Sequence, residues 1–112
     1  MSYKELTQVV SGNLRDLKQG NPELMKGFAA LSSAATKGGA LDQKTKELLA
    51  LAIAIAIRCD DCIAFHTQAC IRLGMSKEEL EELVGVAVMM GGGPSLMYGS
   101  HAIAAFKEFS AA

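Results

Sequence analysis

Tryptophan is absent from this sequence, proline occurs only twice, and aromatic residues make up 5% of the chain. Ala, Ile, Leu, Met and Gly carry the apolar mass instead, which favours closely packed helices over a sandwich or barrel. An excess of charge is also missing: eleven Lys and Arg stand against twelve Asp and Glu, a net charge of −1. Nucleic acid and anionic membranes both call for a clustered basic excess, so neither is expected as a partner. Three cysteines are an odd count and too few for a disulfide scaffold. The opening Met1–Leu6 segment carries no apolar run, so no signal peptide is expected and the setting reads as a reducing cytoplasm. What the chain does have is 50% hydrophobic residues in 112 positions. That is enough for one cored domain over residues 1–112, and it excludes disorder.

One long uncharged stretch, Leu83 to Phe106, has the length of a membrane span. Gly91-Gly92-Gly93-Pro94 splits it into two short pieces, so a spanning helix is not expected. The remaining punctuation is helical. Leu6, Val9, Val10, Leu14 and Leu17 recur at three- and four-residue steps, which predicts a helix over 3–18. Asn21 and Pro22 restart the chain as N-cap and first helical residue, and Gly38-Gly39 stops the second helix near Thr36. Asp42 caps a third helix expected to run through Arg58. Its Leu51–Ile57 core alternates with period two, yet its alanines and its large residues on every side favour a helix buried all round. A fourth helix starts near Cys59 or Asp60 and ends at Gly74, a residue suited to a left-handed C-cap. Ser76-Lys77-Glu78-Glu79 forms a capping box for a fifth helix to about Met90, and Ser95–Phe109 forms the last. The expectation is an all-α domain of six helices.

Cys59-Asp60-Asp61-Cys62-Ile63-Ala64-Phe65-His66 is where chemistry concentrates. Steps of three and four residues would stack Cys59, Cys62 and His66 along one helix face. A C-x-x-C pair at a helix start can close a disulfide, the first-turn amides favour a thiolate, and a histidine one turn on can take the thiol proton. The two aspartates act in both directions, suiting the helix N-terminus while raising nearby thiol pKa values. The bland reading is a pair of space-filling cysteines and a core histidine, but this register is uncommon for that. Zinc fits poorly: adding Cys70 as a fourth ligand spreads the set over roughly 16 Å of helix, too far for one tetrahedral ion. Haem attachment needs His directly after the second cysteine, where Ile63 stands. Cys70 reads as core, and His101, alone on an apolar final helix, reads as structural.

Glu47, eleven residues, then Cys59-x-x-Cys62-x-x-x-His66 resembles the alkylhydroperoxidase AhpD-like / carboxymuconolactone decarboxylase family. Lys44–Leu48, Gly74 with the Ser76 box, and Gly91–Tyr98 resemble that family's core as well, and the likeness covers about residues 22–106. The resemblance implies an all-α fold that oligomerises as a trimer or hexamer, and a thiol-dependent peroxidase. It implies that Cys62 attacks the peroxide, that Cys59 is proton donor and resolving partner, and that Glu47 and His66 form the proton relay. Asp61 stands where some peroxidase members carry histidine. No flavin, haem or nicotinamide motif is present, so no cofactor and no metal is expected, and electrons must come from an external thiol or dithiol reductant. Two other readings stay open: a cofactor-free decarboxylase using His66 and Glu47, and a non-catalytic oligomer that binds a small ligand.

The apolar third helix generates a first prediction. A helix with large residues on every side has more apolar surface than a 112-residue monomer readily covers. Light scattering at micromolar concentration should therefore return a multiple of the 11.8 kDa chain mass; a monomer mass would contradict it.

Overall fold

The computed structural model describes residues 1–111, and those residues fold into six helices. They are α1 (Tyr3–Gly20), α2 (Pro22–Thr36), α3 (Gln43–Ala56), α4 (Asp60–Arg72), α5 (Lys77–Gly91) and α6 (Gly93–Ser110). The caps explain most of the starts. The Asn21, Asp42 and Ser76 side chains each accept a backbone N–H three residues on, and Ser76 with Glu79 closes the expected capping box. A second capping box, Ser2 with Glu5, opens α1. Helix α6 begins two residues before the expected Ser95, because Gly92 turns the chain at φ 73° and Pro94 then falls within the first turn.

Helices α3, α4, α5 and α6 form the body, with α1 laid across α4 and α6. Leu51 and Ile55 from α3, Ile63 and Cys70 from α4, Leu80 from α5, and Ala102 and Ala105 from α6 are wholly buried between them. Small residues set the helix spacing. A methyl group added at Gly99 of α6 would lie 2.6 Å from Val84 of α5, so the two backbones approach as closely as glycine permits. Helix α2 is different. It buries no residue and leans mainly on α1, leaving Leu24, Phe28 and Leu31 in solvent. The resulting radius of gyration, 14.4 Å, exceeds the ~13 Å of a compact chain this long.

The structure departs from the sequence expectation at two points of α3. Helix α3 is not buried all round within the chain: Leu51, Ala54 and Ile55 face the core, while Leu49, Ile53 and Ile57 are 49%, 58% and 66% exposed. Helices α4, α5 and α6 pack on one side of it and α2 only brushes it, so its far side is left open. It also stops at Ala56 rather than Arg58. Arg58 takes φ 62°, its N–H bonds Ile55 O at 3.2 Å, and the Cys59 N–H bonds Ala54 O at 3.0 Å, which together make a Schellman turn. The end of α4 repeats the device: Gly74 takes φ 91°, with Gly74 N–H to Ile71 O and Met75 N–H to Cys70 O. The sequence signalled the second turn by its glycine and gave no sign of the first.

These two turns should respond oppositely to substitution. Gly74→Ala meets no atom within 4 Å but forces a side chain into left-handed backbone, and should cost about 1 kcal/mol. Arg58→Gly should be neutral or stabilise by up to about 1 kcal/mol. Urea unfolding of both variants checks this, and a stabilising Gly74→Ala would refute the assignment.

Candidate functional site

Glu47 sits one turn inside α3, and His66 lies midway along α4. The two helices run antiparallel after the Arg58 turn, and this brings His66 Nδ1 to 2.7 Å from Glu47 Oε2. Glu47 is only 8% exposed, so its carboxylate has left most of its water and needs the imidazole as partner. A carboxylate only accepts; with Glu47 ionised, Nδ1 carries the proton and Nε2 is left free as the basic nitrogen. His66 itself remains about one-third open to solvent.

Helix α4 starts at Asp60, the later of the two expected positions, so Cys59 is its N-cap, with φ −109° and ψ 97°. Its sulfur still reaches Cys62 across one turn: it accepts the Cys62 N–H at 3.2 Å, and the two sulfurs are joined as a disulfide across a Cα separation of 5.2 Å. One of the first turn's unsatisfied amides, that of Cys62, thus meets the Cys59 sulfur, which favours a thiolate there when the bond is reduced. Cys62 and His66, one turn apart, form a ridge between two hollows. One, of about 270 Å³, lies between α3 and α4 and is lined by Ala50, Ile53, Ala54 and Ile57. The other, of about 380 Å³, lies under α1 and α2 and is walled by Val10, Leu14, Phe28 and Phe65, with Asp61 at its edge. All four candidates, Glu47, Cys59, Cys62 and His66, converge on this corner of the fold.

Cys70, one turn beyond His66, lines neither hollow. It is wholly buried and unbridged, and burial, aided by Glu47, pushes its thiol up to about 12. His101, expected to be structural and alone on its helix, has a partner on α4. Its Nδ1 meets Asp60 Oδ1 at 2.8 Å, and the Tyr3 hydroxyl donates to the same oxygen at 3.3 Å. These links span 41 and 57 residues, and no local pattern announces them. Among the described residues no cluster of three or more His, Cys, Asp or Glu is placed to hold a metal ion, and no helix is long and apolar enough to cross a membrane.

The contrast between the thiols is directly measurable. After reduction, iodoacetamide at pH 8 should label Cys59 and Cys62 and spare Cys70, which reacts only once denaturant is added. Equal labelling of all three in the folded protein would contradict the buried, protonated Cys70.

Relatives of the chain carry the same architecture. A carboxymuconolactone decarboxylase family protein of Legionella pneumophila is 50% identical and superposes with a TM-score of 0.96, each chain covered to 97%. A family protein of Thermotoga maritima, described with a suggested part in antioxidative response, is 32% identical with a TM-score of 0.83, covering 93% of this chain and 89% of that one. An uncharacterized protein of Cupriavidus necator is 41% identical over 95 residues, which is 85% of this chain and 84% of the relative. Residues 22–108 match the family's sequence model, so the helices that bring Glu47, Cys59, Cys62 and His66 together lie inside the matched region, and the chain belongs to the carboxymuconolactone decarboxylase family.

Proposed function

We propose that this protein is a thiol-dependent peroxidase, a dithiol–disulfide oxidoreductase of the AhpD-like type. The observation that carries the reading is the position of the Cys59–Cys62 disulfide one helical turn from a histidine whose Nδ1 is held by a buried glutamate. A family of decarboxylases needs no sulfur pair for its chemistry, whereas a reversible two-cysteine bond beside a base serves two-electron redox work. The Thermotoga relative's suggested antioxidative part supports the same direction.

The chemistry balances with a peroxide and an external dithiol. His66 Nε2 takes the Cys62 thiol proton, and the thiolate attacks the outer oxygen of the peroxide, breaking the O–O bond. Cys62 becomes a sulfenic acid, and the departing alkoxide takes the Cys59 thiol proton to leave as alcohol. The Cys59 thiolate then attacks the Cys62 sulfur, the leaving hydroxide takes the proton held on His66 and departs as water, and the disulfide forms. An external thiol or dithiol returns two electrons and two protons. Glu47 keeps His66 in the tautomer that presents Nε2 and stabilises the imidazolium that forms. The apolar walls on both sides of the ridge suit a peroxide with a hydrocarbon substituent. Assembly with further copies would cover the outer faces of α2 and α3.

Variants separate the roles by peroxide consumption with a dithiol reductant. Cys62→Ser should abolish turnover, whereas Cys59→Ser should allow one turnover and trap a sulfenic acid at Cys62. His66→Ala should slow thiolate formation and cost ~10²-fold or more in rate, with a smaller loss for Glu47→Gln. A sulfenic-acid probe that labels Cys59 in the Cys62→Ser protein would reverse the cysteine assignment. Wild-type rates in the His66 and Glu47 variants would remove the relay.

A further inference from the structure

The first residue inside the C-x-x-C motif is tied down from two other helices. Asp60 is the opening residue of α4, directly after the Cys59 cap, and its Oδ1 accepts from His101 Nδ1 of α6 at 2.8 Å and from the Tyr3 hydroxyl of α1 at 3.3 Å. Both donors are themselves held. The Tyr98 ring lies 4.7 Å from the His101 ring, and Glu108 accepts the backbone N–H groups of Tyr3 and Lys4 at 3.1 and 3.2 Å. Burial and the Asp60 carboxylate push the Tyr3 hydroxyl up to about 12, so it keeps its proton and remains a donor throughout the neutral range.

The first turn of a helix has few internal hydrogen bonds and frays readily. Cys59, as N-cap, hangs on that turn, and it must bring its sulfur to Cys62 each time the disulfide closes. Closing a bond between two groups costs less when their carriers are already fixed in the bonded geometry. Asp61, the second residue of the motif, is exposed and makes none of these ties. The anchoring is therefore specific to the Cys59 side.

We propose that His101 and Tyr3 are positioning residues for Cys59: acting through Asp60, they hold the first turn of α4 in the geometry that closes the Cys59–Cys62 disulfide. This rests on the redox use of that pair. In the exchange that measures it, the two thiols lose two electrons and two protons to form the S–S bond, while the S–S bond of oxidised glutathione breaks and takes them up as two glutathione thiols.

The test is the equilibrium constant for that exchange, read by thiol trapping and mass spectrometry on the full-length protein. His101→Ala and Asp60→Ala should each disfavour the protein disulfide about three- to tenfold, the span of one half-exposed charge-assisted hydrogen bond. The double variant should lose no more than the larger single loss, because both substitutions cut the same tie. His101→Asn, which restores an N–H donor near the Nδ1 position, should recover the wild-type value. A purely structural role would instead lower the melting temperature of the reduced proteins and leave the constant alone. Constants within twofold of wild type, or losses that add in the double variant, overturn the proposal. Where an alanine variant fails to fold, Tyr3→Phe decides: it loses only the hydroxyl and should shift the constant in the same direction by a smaller factor, and no shift overturns the proposal. A wild-type protein that exchanges with glutathione but consumes no peroxide would sink the peroxidase reading and leave this inference standing; one that forms no disulfide would sink both.

Discussion

A carboxylate taken out of water must find a partner, and Glu47 finds His66. That one requirement fixes much of the site. It demands that α3 and α4 lie antiparallel and in a single register, since a shift of one residue on either helix rotates the side chain by about 100° away from its partner. The same register sets Leu51 and Ile55 against Ile63 in the core, so the apolar packing and the polar pair reinforce each other. It also decides which imidazole nitrogen is free. Without the carboxylate on Nδ1, nothing would distinguish the two tautomers at a half-open histidine.

The short link between the two helices does a second job. Arg58 in left-handed backbone ends α3, and the very next residue caps α4 with a sulfur. A glycine at this position would turn with less strain but would itself be freer in the unfolded chain, so the two effects oppose each other. Chain reversal, helix capping and the disulfide are compressed into Ile57–Cys62. The price is local exposure: Ile57 and Arg58 are open to solvent, while contacts from α1 and α6 reach Asp60 just beyond the cap.

The large apolar side chains left outside form no random scatter. Leu24, Phe28 and Leu31 follow one face of α2, while Leu49, Ile53 and Ile57 follow the outer face of α3, each at helical spacing. Phe28 and Leu14 wall one hollow beside Cys62, and Ile53 and Ile57 wall the other. The faces that the chain leaves uncovered thus run up to the rims of the reactive ridge, which couples any covering of these faces to access at the sulfur.

Local chemistry made six helices legible, because caps at Asn21, Asp42 and Ser76, the glycine at Gly74 and the break at Gly91–Pro94 act within a few residues of themselves. The C-x-x-C spacing with a histidine four residues on was likewise visible, since helical register alone relates Cys62 to His66. Glu47 was legible only through family resemblance: a glutamate in a helix's first turns is ordinarily solvated, and nothing local says that it will be buried. The capping position of Cys59, the left-handed Arg58 and the half-open α3 were decided by how the chain turns and what packs behind it. Most of all, the links from Asp60 to His101 and Tyr3 belong to the tertiary structure. They join residues 41 and 57 positions apart, and such contacts exist only after packing has removed the alternatives that the same polar groups find in water.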